Sequence, residues 1–377
     1  MVARRTAFDA IPRQAWDRLL AASPAATPFS RWSFHRAWWD AYGSTAHDQY
    51  LLVSPVDADD EPDTIRAIVP LMHRHEVEPD DLPTHTVVRE HSPTCQSVPD
   101  EARAVLFGAS YHADYATLLA AERDLEPAAT AMGSALSGSP EQYDGNQPWD
   151  VIDLRRLREV DPALSVLESV FNRMVNDEGW TFAREQEDVC PVVTVRGDTW
   201  DEFLVTLDKK ARHEVRRKLR RAAAVGELSI EISPPTVEAI DEFIRLHSLR
   251  FGERGLFPEN EGGARSRLFV HRLAELEQAE ADGGVLHVAL VRCGQRLVFA
   301  ALAFDDGVTS YLYNAGMDPS ASDASPGVTG AALYFQNRIE AGRHRFDFLR
   351  GNEPYKYEWG AVDEPIYRLL VQRGAAS

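Results

Sequence analysis

The chain has 377 residues, 44% of them hydrophobic, and 40 Lys/Arg against 59 Asp/Glu give it a formal net charge of -19. Such a length predicts two domains of about 150 to 200 residues, which we place at 1–160 and 161–377. The acidic balance argues against general nucleic-acid affinity, and so against DNA as a partner, because neutralising phosphates needs a basic surface.

Apolar runs fall well short of the roughly 20 residues that span a bilayer, so no transmembrane segment is expected. Near the N-terminus, Asp9 and Pro12 interrupt what a secretory leader would keep apolar. Cys95, Cys190 and Cys293 are widely spaced and form no C-x-x-C, which predicts neither a disulfide framework nor a zinc ribbon. The expected location is the cytoplasm.

Phe8 to Ala22 predicts an amphipathic helix on Ile11, Trp16, Leu19 and Leu20. A second helix is predicted from Arg31 to Gly43, where Trp32, His35, Trp38, Trp39 and Tyr42 recur at helical spacing. Its aromatics could form a ligand platform, but core packing is the expectation, since large aromatics dominate burial energetics. Tyr50 to Val53 and Ile65 to Met72 predict paired strands around an acidic turn. His73 and His75 would share one strand face, yet nothing nearby completes a ligand set, and no metal is expected. Asp114 to Leu119 predicts a strand, Pro127 to Leu136 a helix and Trp149 to Leu154 a strand, with loops at 137–140 and 144–148. No G-x-S-x-G elbow occurs, so a serine hydrolase has little support.

Pro162 to Glu178 predicts a helix stopped by Gly179, followed by two strands, Trp180 to Ala183 and Pro191 to Val195. Lys209 to Arg221 is the most basic stretch, with a narrow apolar stripe of Ala211, Val215, Leu219 and Ala222. Like charges four apart, such as Arg212, Arg216 and Arg220, repel by a few tenths of a kcal/mol per pair. Three readings follow for this helix. The acidic remainder of the protein compensates it, or Arg212, Arg216 and Arg217 bind a phosphate-bearing ligand, or it meets an anionic membrane surface peripherally.

A strand from Glu227 to Ile232 and helices from Val237 to Phe251 and Arg265 to Glu280 come next. His247 on the first of these helices is read as structural or as a ligand contact. Three strands at 285–291, 297–304 and 308–313, joined by Gly-containing turns, predict an antiparallel meander. The polar loop Met317 to Ser325 then leads into a helix from Pro326 that Gly342 stops, and Arg345 to Leu349 predicts a strand. A polar and aromatic turn at 350–359 and a last strand from Glu364 to Val371 complete an α/β pattern. Strand, glycine loop and helix suit an anion or cofactor site at a helix N-terminus.

Ser325-Pro-Gly, Phe346-Asp-Phe and Gly351-x-Glu353-x-Tyr355-Lys356-x-x-Trp359 resemble the C-terminal signature of CelD-like acetyltransferases of the GNAT superfamily. These are similar to the Fem peptidoglycan aminoacyltransferases, which carry two GNAT-like domains in one chain. The Pro28-Phe29 and Trp38-Trp39 opening and the basic stretch have counterparts in the CelD-like group. The resemblance implies an α/β (α+β) chain of tandem GNAT-like domains, each a mixed, largely antiparallel sheet flanked by helices.

It also implies an acyltransferase with acyl-CoA as donor, held by Ser325, Gly327, Val328, Thr329 and Gly330 at the helix start. Tyr313 and Tyr355 carry suitable groups for the oxyanion and the leaving thiolate. By likeness to the Fem enzymes, Lys356 would stabilise the transferred carbonyl, with Asp347 and Glu353 orienting it or the acceptor; these are the expected catalytic and substrate-binding residues. The acceptor would be an amine or hydroxyl on a saccharide or cell-envelope precursor.

The chain departs from the superfamily's Arg/Gln-x-x-Gly-x-Gly/Ala loop. Ala324 takes the basic position, Thr329 takes the last glycine position, and Gly330 falls one residue late. Aminoacyl-tRNA as donor therefore stays open, as does a non-catalytic ligand-binding protein that keeps the fold.

Overall fold

The computed structural model describes residues 1–58, 61–74, 103–138, 149–281 and 283–373; His75, Cys95 and the loop at 144–148 lie outside them. The described chain separates into two compact units, one formed by residues up to Asp188 together with the segment from Pro365 onward, the other by Val189–Glu364. The sequence reading puts its boundary at 160/161, ahead of the helix Pro162–Glu178, which packs in the first unit.

The first unit contains strands β1 (Val2–Thr6), β2 (Ala46–Asp48), β3 (Tyr50–Ser54), β4 (Ala67–Val69), β5 (Leu71–Arg74), β6 (Ala104–Phe107), β7 (Leu119–Ala120) and β8 (Val151–Arg158), and helices α1 (Arg13–Ala22), α2 (Trp32–Tyr42), α3 (Glu122–Ser137) and α4 (Pro162–Glu178). Strands β1, β3, β4 and β7 form an antiparallel sheet in that order. In a second layer β6 runs parallel to β8 and antiparallel to β5.

The aromatic helix is a core element. Phe34, Trp38 and Tyr42 are fully buried, and the His35 ring nitrogen lies 2.8 Å from the Tyr50 hydroxyl. Gly179 ends α4 in the left-handed region at φ 71°, as a helix-terminating glycine does.

Three expectations here are corrected. Of the strand expected at Asp114 to Leu119 only Leu119 belongs to one, β7, because nearby backbone groups are taken elsewhere: Ala113 donates to Ala109, Ala116 donates to Arg156, and the Arg156 guanidinium donates to the Ala113 carbonyl. Helix α3 begins five residues before Pro127, with Glu122 and Asp124 in its first turn favoured by the helix dipole. The two strands expected around 180–195 are one, β9 (Thr181–Thr194).

The second unit comprises α5 (Trp200–Thr206), α6 (Lys209–Val225), β10 (Leu228–Ser233), α7 (Val237–Phe251), α8 (Glu261–Gln278), β11 (Leu286–Cys293), β12 (Arg296–Asp305), β13 (Thr309–Met317), α9 (Pro326–Glu340), β14 (Arg345–Asp347) and α10 (Pro354–Tyr357). Its strands are ordered β10-β11-β12-β13-β14, followed by the latter part of β9. Every neighbouring pair is antiparallel except β13 and β14. The chain ends on β15 (Val362–Gln372), which pairs with β8 in the first unit.

Side-chain alternation along β13 assigns the helices to faces. Ala315 and Met317 pack into the cluster that holds Ala331, Tyr334 and Phe335 of α9 with Val215 and Ala222 of α6. Gly316, between them, turns its α-carbon to the backbone of Leu246 and His247 in α7. Helix α7 therefore covers one face of the sheet, and α6 and α9 the other.

Candidate active site

The parallel pairing of β13 with β14 covers only Thr309, Ser310 and Tyr311 against Arg345, Phe346 and Asp347. Strand β13 runs on to Met317, whereas the chain after Asp347 follows β9, with Phe348 donating to the Pro191 carbonyl and Gly351 to that of Val189. The two strands thus part company, and the far half of β13 has an open edge, with no strand partner on that side among the described residues. At the parting, Leu302 pairs with Asn314 and Ala303 with Leu312, which makes Tyr313 the extra residue of a bulge. Its ring packs edge-on to Phe304 at 5.5 Å.

Side chains occupy the open edge in place of a strand. The Ala315 amide donates to its neighbour Asn314 Oδ1 at 2.8 Å, and the Ala315 carbonyl accepts from Arg250 Nη1 at 3.3 Å. Arg250 comes from α7, with its guanidinium over the Phe251 ring, and it interacts electrostatically with Tyr355 and Glu353 of the turn after β14. Burial pushes the Tyr355 phenol up to about 12, with the Glu353 charge adding and Arg250 opposing. Tyr355 is therefore protonated at neutral pH.

His247, one turn before Arg250, is caged by Phe243, Phe251 and Phe257 at ring distances of 5.8, 4.7 and 5.0 Å. Burial, and then the Arg250 charge, pull its imidazole down to about 4, so it is neutral, and its Nδ1 is buried without a hydrogen-bond partner.

The expected helix start lies on the α9 side. Ser325 caps α9 with φ 47° and ψ 56°, a left-handed conformation that costs a non-glycine residue about 1–3 kcal/mol. Pro326 has no N–H, and the Val328 and Thr329 amides both turn back to the Ser325 carbonyl. The Gly327 amide, in the first turn, has no partner within the helix, and a Cβ at Gly327 would lie 3.0 Å from Met317 Cε. Thr329 is buried with its hydroxyl on the Ala324 carbonyl at 2.8 Å. Gly330 packs against the Phe299 ring. That contact accounts for a residue without a side chain, so ligand approach is not the reason for a glycine there.

The turn carrying Tyr355 is built around Lys356. Its ammonium is buried and donates to the carbonyls of Leu349, Arg350 and Gly351 at 3.1, 3.0 and 2.8 Å, with Glu353 at 2.9 Å. Asp347 is buried and accepts from the Leu349 amide at 2.8 Å, fixing Leu349 at φ 57°. Both groups are engaged within the turn, where the sequence reading expected Lys356 beside the transferred carbonyl with Asp347 orienting it or the acceptor. Tyr355, Glu353 and Arg250 come together at the open edge; the sequence reading noted Arg250 beside His247 on the helix but gave it no site role, although its position three residues on puts it on the same face.

Helix α6 lies beside the 3-10 segment Pro319–Ala324 and α9. Arg212 donates to the Val205 carbonyl, Arg216 reaches Asp201 at 3.3 Å, and Arg217 and Lys218 hold Glu214 down to about 2. Lys209, Lys210, Arg220 and Arg221 are exposed as well.

Residues 209–357, from the start of α6 to the end of α10, match the family described as Acetyltransferase (GNAT) domain. That match spans 149 of the 377 residues and marks this stretch as similar to a GNAT acetyltransferase domain. No curated protein matches it. Among solved structures it is similar to FemX at 12% identity, with 98% of this chain and 97% of that one covered and a TM-score of 0.59. It is also similar to a conserved protein from Bacteroides thetaiotaomicron at 12% identity, coverage 99% and 100%, TM-score 0.55. A third likeness is to the C-terminal domain of a putative lysylphosphatidylglycerol synthetase from Agrobacterium fabrum at 12%, coverage 96% and 91%, TM-score 0.53. At such identities the likeness is one of fold, and it extends over both units. No described helix is long and apolar enough to cross a membrane.

Proposed function

We propose that the GNAT domain transfers an acyl group from a coenzyme A thioester to an amine or hydroxyl of a saccharide or cell-envelope precursor. The carrying observation is the pair of outward main-chain groups at Ala315, which a neighbouring strand would take and which only Asn314 and Arg250 now cover. A linear donor with amide groups, such as the pantetheine arm, would pair with that edge. Its diphosphate would meet the Gly327 amide and the positive end of α9, with Ser325, Val328 and Thr329 shaping the turn.

The acceptor's nitrogen or oxygen attacks the thioester carbonyl, the C–S bond breaks, and the departing thiolate takes the Tyr355 proton. Glu353 receives the proton lost by the acceptor. Tyr313, at the bulge, donates to the oxyanion, while Lys356 and Asp347 act by holding the turn that presents Tyr355 and Glu353. The neutral His247 imidazole lines the acceptor side. Cytoplasmic action on an envelope precursor fits the CelD-like motif.

Titrating coenzyme A and acetyl-CoA into the purified protein by calorimetry tests this reading. Saturable one-site binding that survives Arg216→Glu/Arg217→Glu supports it and points to the helix start of α9. Absence of binding at millimolar ligand would overturn it. The exposed basic face of α6 beside the α9 approach favours a second reading, an aminoacyl-tRNA donor. Its signature is binding of charged tRNA that the same double variant abolishes, without coenzyme A binding.

A further inference from the structure

The charge at the open edge does not balance. Arg250 forms no ion pair with any described carboxylate; its guanidinium lies over the Phe251 ring, and its hydrogen bond to the Ala315 carbonyl is long at 3.3 Å. Glu353 attracts it but sits 2.9 Å from the Lys356 ammonium, so these three groups carry two positive charges and one negative. Arg250 itself is exposed, so an incoming ligand can reach its guanidinium. A guanidinium left with spare N–H groups suits two-point recognition of a carboxylate or phosphate.

The face on which Arg250 lies decides whose anion that is. Ala315 and Met317 pack on the α9 side, and Met317 reaches Gly327 there; Gly316 rests on α7. The start of α9, where the donor's diphosphate is proposed to bind, is thus on the opposite face of β13 from the helix that carries Arg250. A molecule meeting the acyl group from the α7 side passes Arg250, His247 and the loop after α7, where Gly255 leaves only enough room for the imidazole: a Cβ there would stand 2.7 Å from His247 Cε1.

We infer that the acceptor is anionic, and that a carboxylate or phosphate on it docks on the Arg250 guanidinium at the α7 face of the open strand edge. This rests on the acyl-transfer reading. Once the donor's amides pair with Ala315, Arg250 is released from that carbonyl to the acceptor. Arg250 is then a specificity-determining residue that selects a charged over an uncharged amine or hydroxyl.

The test uses full-length protein and a pair of probes that differ only in the charged group, glucosamine 6-phosphate and glucosamine, titrated by calorimetry with coenzyme A present. Wild type is expected to bind the phosphorylated sugar at least about ten-fold more tightly. Arg250→Gln should abolish that difference and Arg250→Lys keep part of it, with coenzyme A affinity undiminished in both. Equal binding of the two sugars, no binding of either at 10 mM (about 2.7 kcal/mol of binding free energy at the 1 M standard state), or an undiminished preference in Arg250→Gln would overturn the proposal. So would a loss of coenzyme A affinity in Arg250→Gln, since Arg250 would then serve the donor. If wild type binds no coenzyme A but keeps the Arg250-dependent preference, the donor reading fails and the anion site stands.

Discussion

His247 is held neutral by three phenylalanine rings, and it is not alone in that state. His287 in the second unit is pulled down to about 4, and His35 and His112 in the first to about 3, each chiefly by burial. All four are uncharged in the folded protein near neutrality, whereas in the unfolded chain they take up protons below about pH 6.5. The unfolded state therefore binds more protons between pH 6.5 and 4, and stability must fall as the pH falls through that window, by about 1.4 kcal/mol per pH unit for each fully shifted histidine. Urea denaturation at pH 7.5, 6 and 5 should show a falling midpoint, and His287→Gln should shallow the decline. A flat profile would mean that these rings are hydrated.

At the scale of elements, the contact of β13 with α7 sets the geometry of the open edge. Gly316 has no side chain because the backbone of Leu246 and His247 occupies the space where a Cβ would stand. A backbone cannot rotate aside, so Gly316→Ala must push α7 off the sheet, an overpacking cost of about 1–3 kcal/mol. Arg250 would move with α7. Gly327→Ala meets only the flexible tip of Met317 and sits in the first turn of α9, so stability should stay within about 0.5 kcal/mol. Thermal unfolding of the two variants separates the cases; equal losses would show that the α7 contact is loose. The basic helix α6 behaves differently, because its charges are largely solvated or paired along its own surface and only Val215 and Ala222 are buried.

On the scale of the whole molecule, the chain returns to its beginning. The segment from Pro365 joins the first unit, and Arg368 there is buried on Asp153 at 2.7 and 2.9 Å, with Glu185 at 3.1 Å. Removing one partner of a buried ion pair costs about 3–5 kcal/mol, and since Arg155 at 3.1 Å still pairs with Asp153 the loss here should fall at or below the low end. Arg368→Ala should lower the melting temperature accordingly, with the loss read in the first unit by proteolysis. A change below 1 kcal/mol would indicate that water reaches Asp153.

Local chemistry was enough to write most elements. Helices α4 and α7 were predicted to the residue, since a capping residue, a regular apolar face and a glycine stop act within a few residues of one another. The meander β11 to β13 followed from alternation and short turns, and the motif at 351–359 pointed to the GNAT family. Sequence failed where distant groups decide. Asp114 to Leu119 looked like a strand, yet Arg156, about forty residues away, takes backbone groups of Ala113 and Ala116. The three carbonyls that the turn folds onto Lys356 could not be read from its motif either. The parting of β13 from β14, and Arg250 at its edge, depend on which strand the chain after Asp347 chooses to follow. That choice is a balance of long-range hydrogen bonds and packing, and only the tertiary structure holds both sides of it.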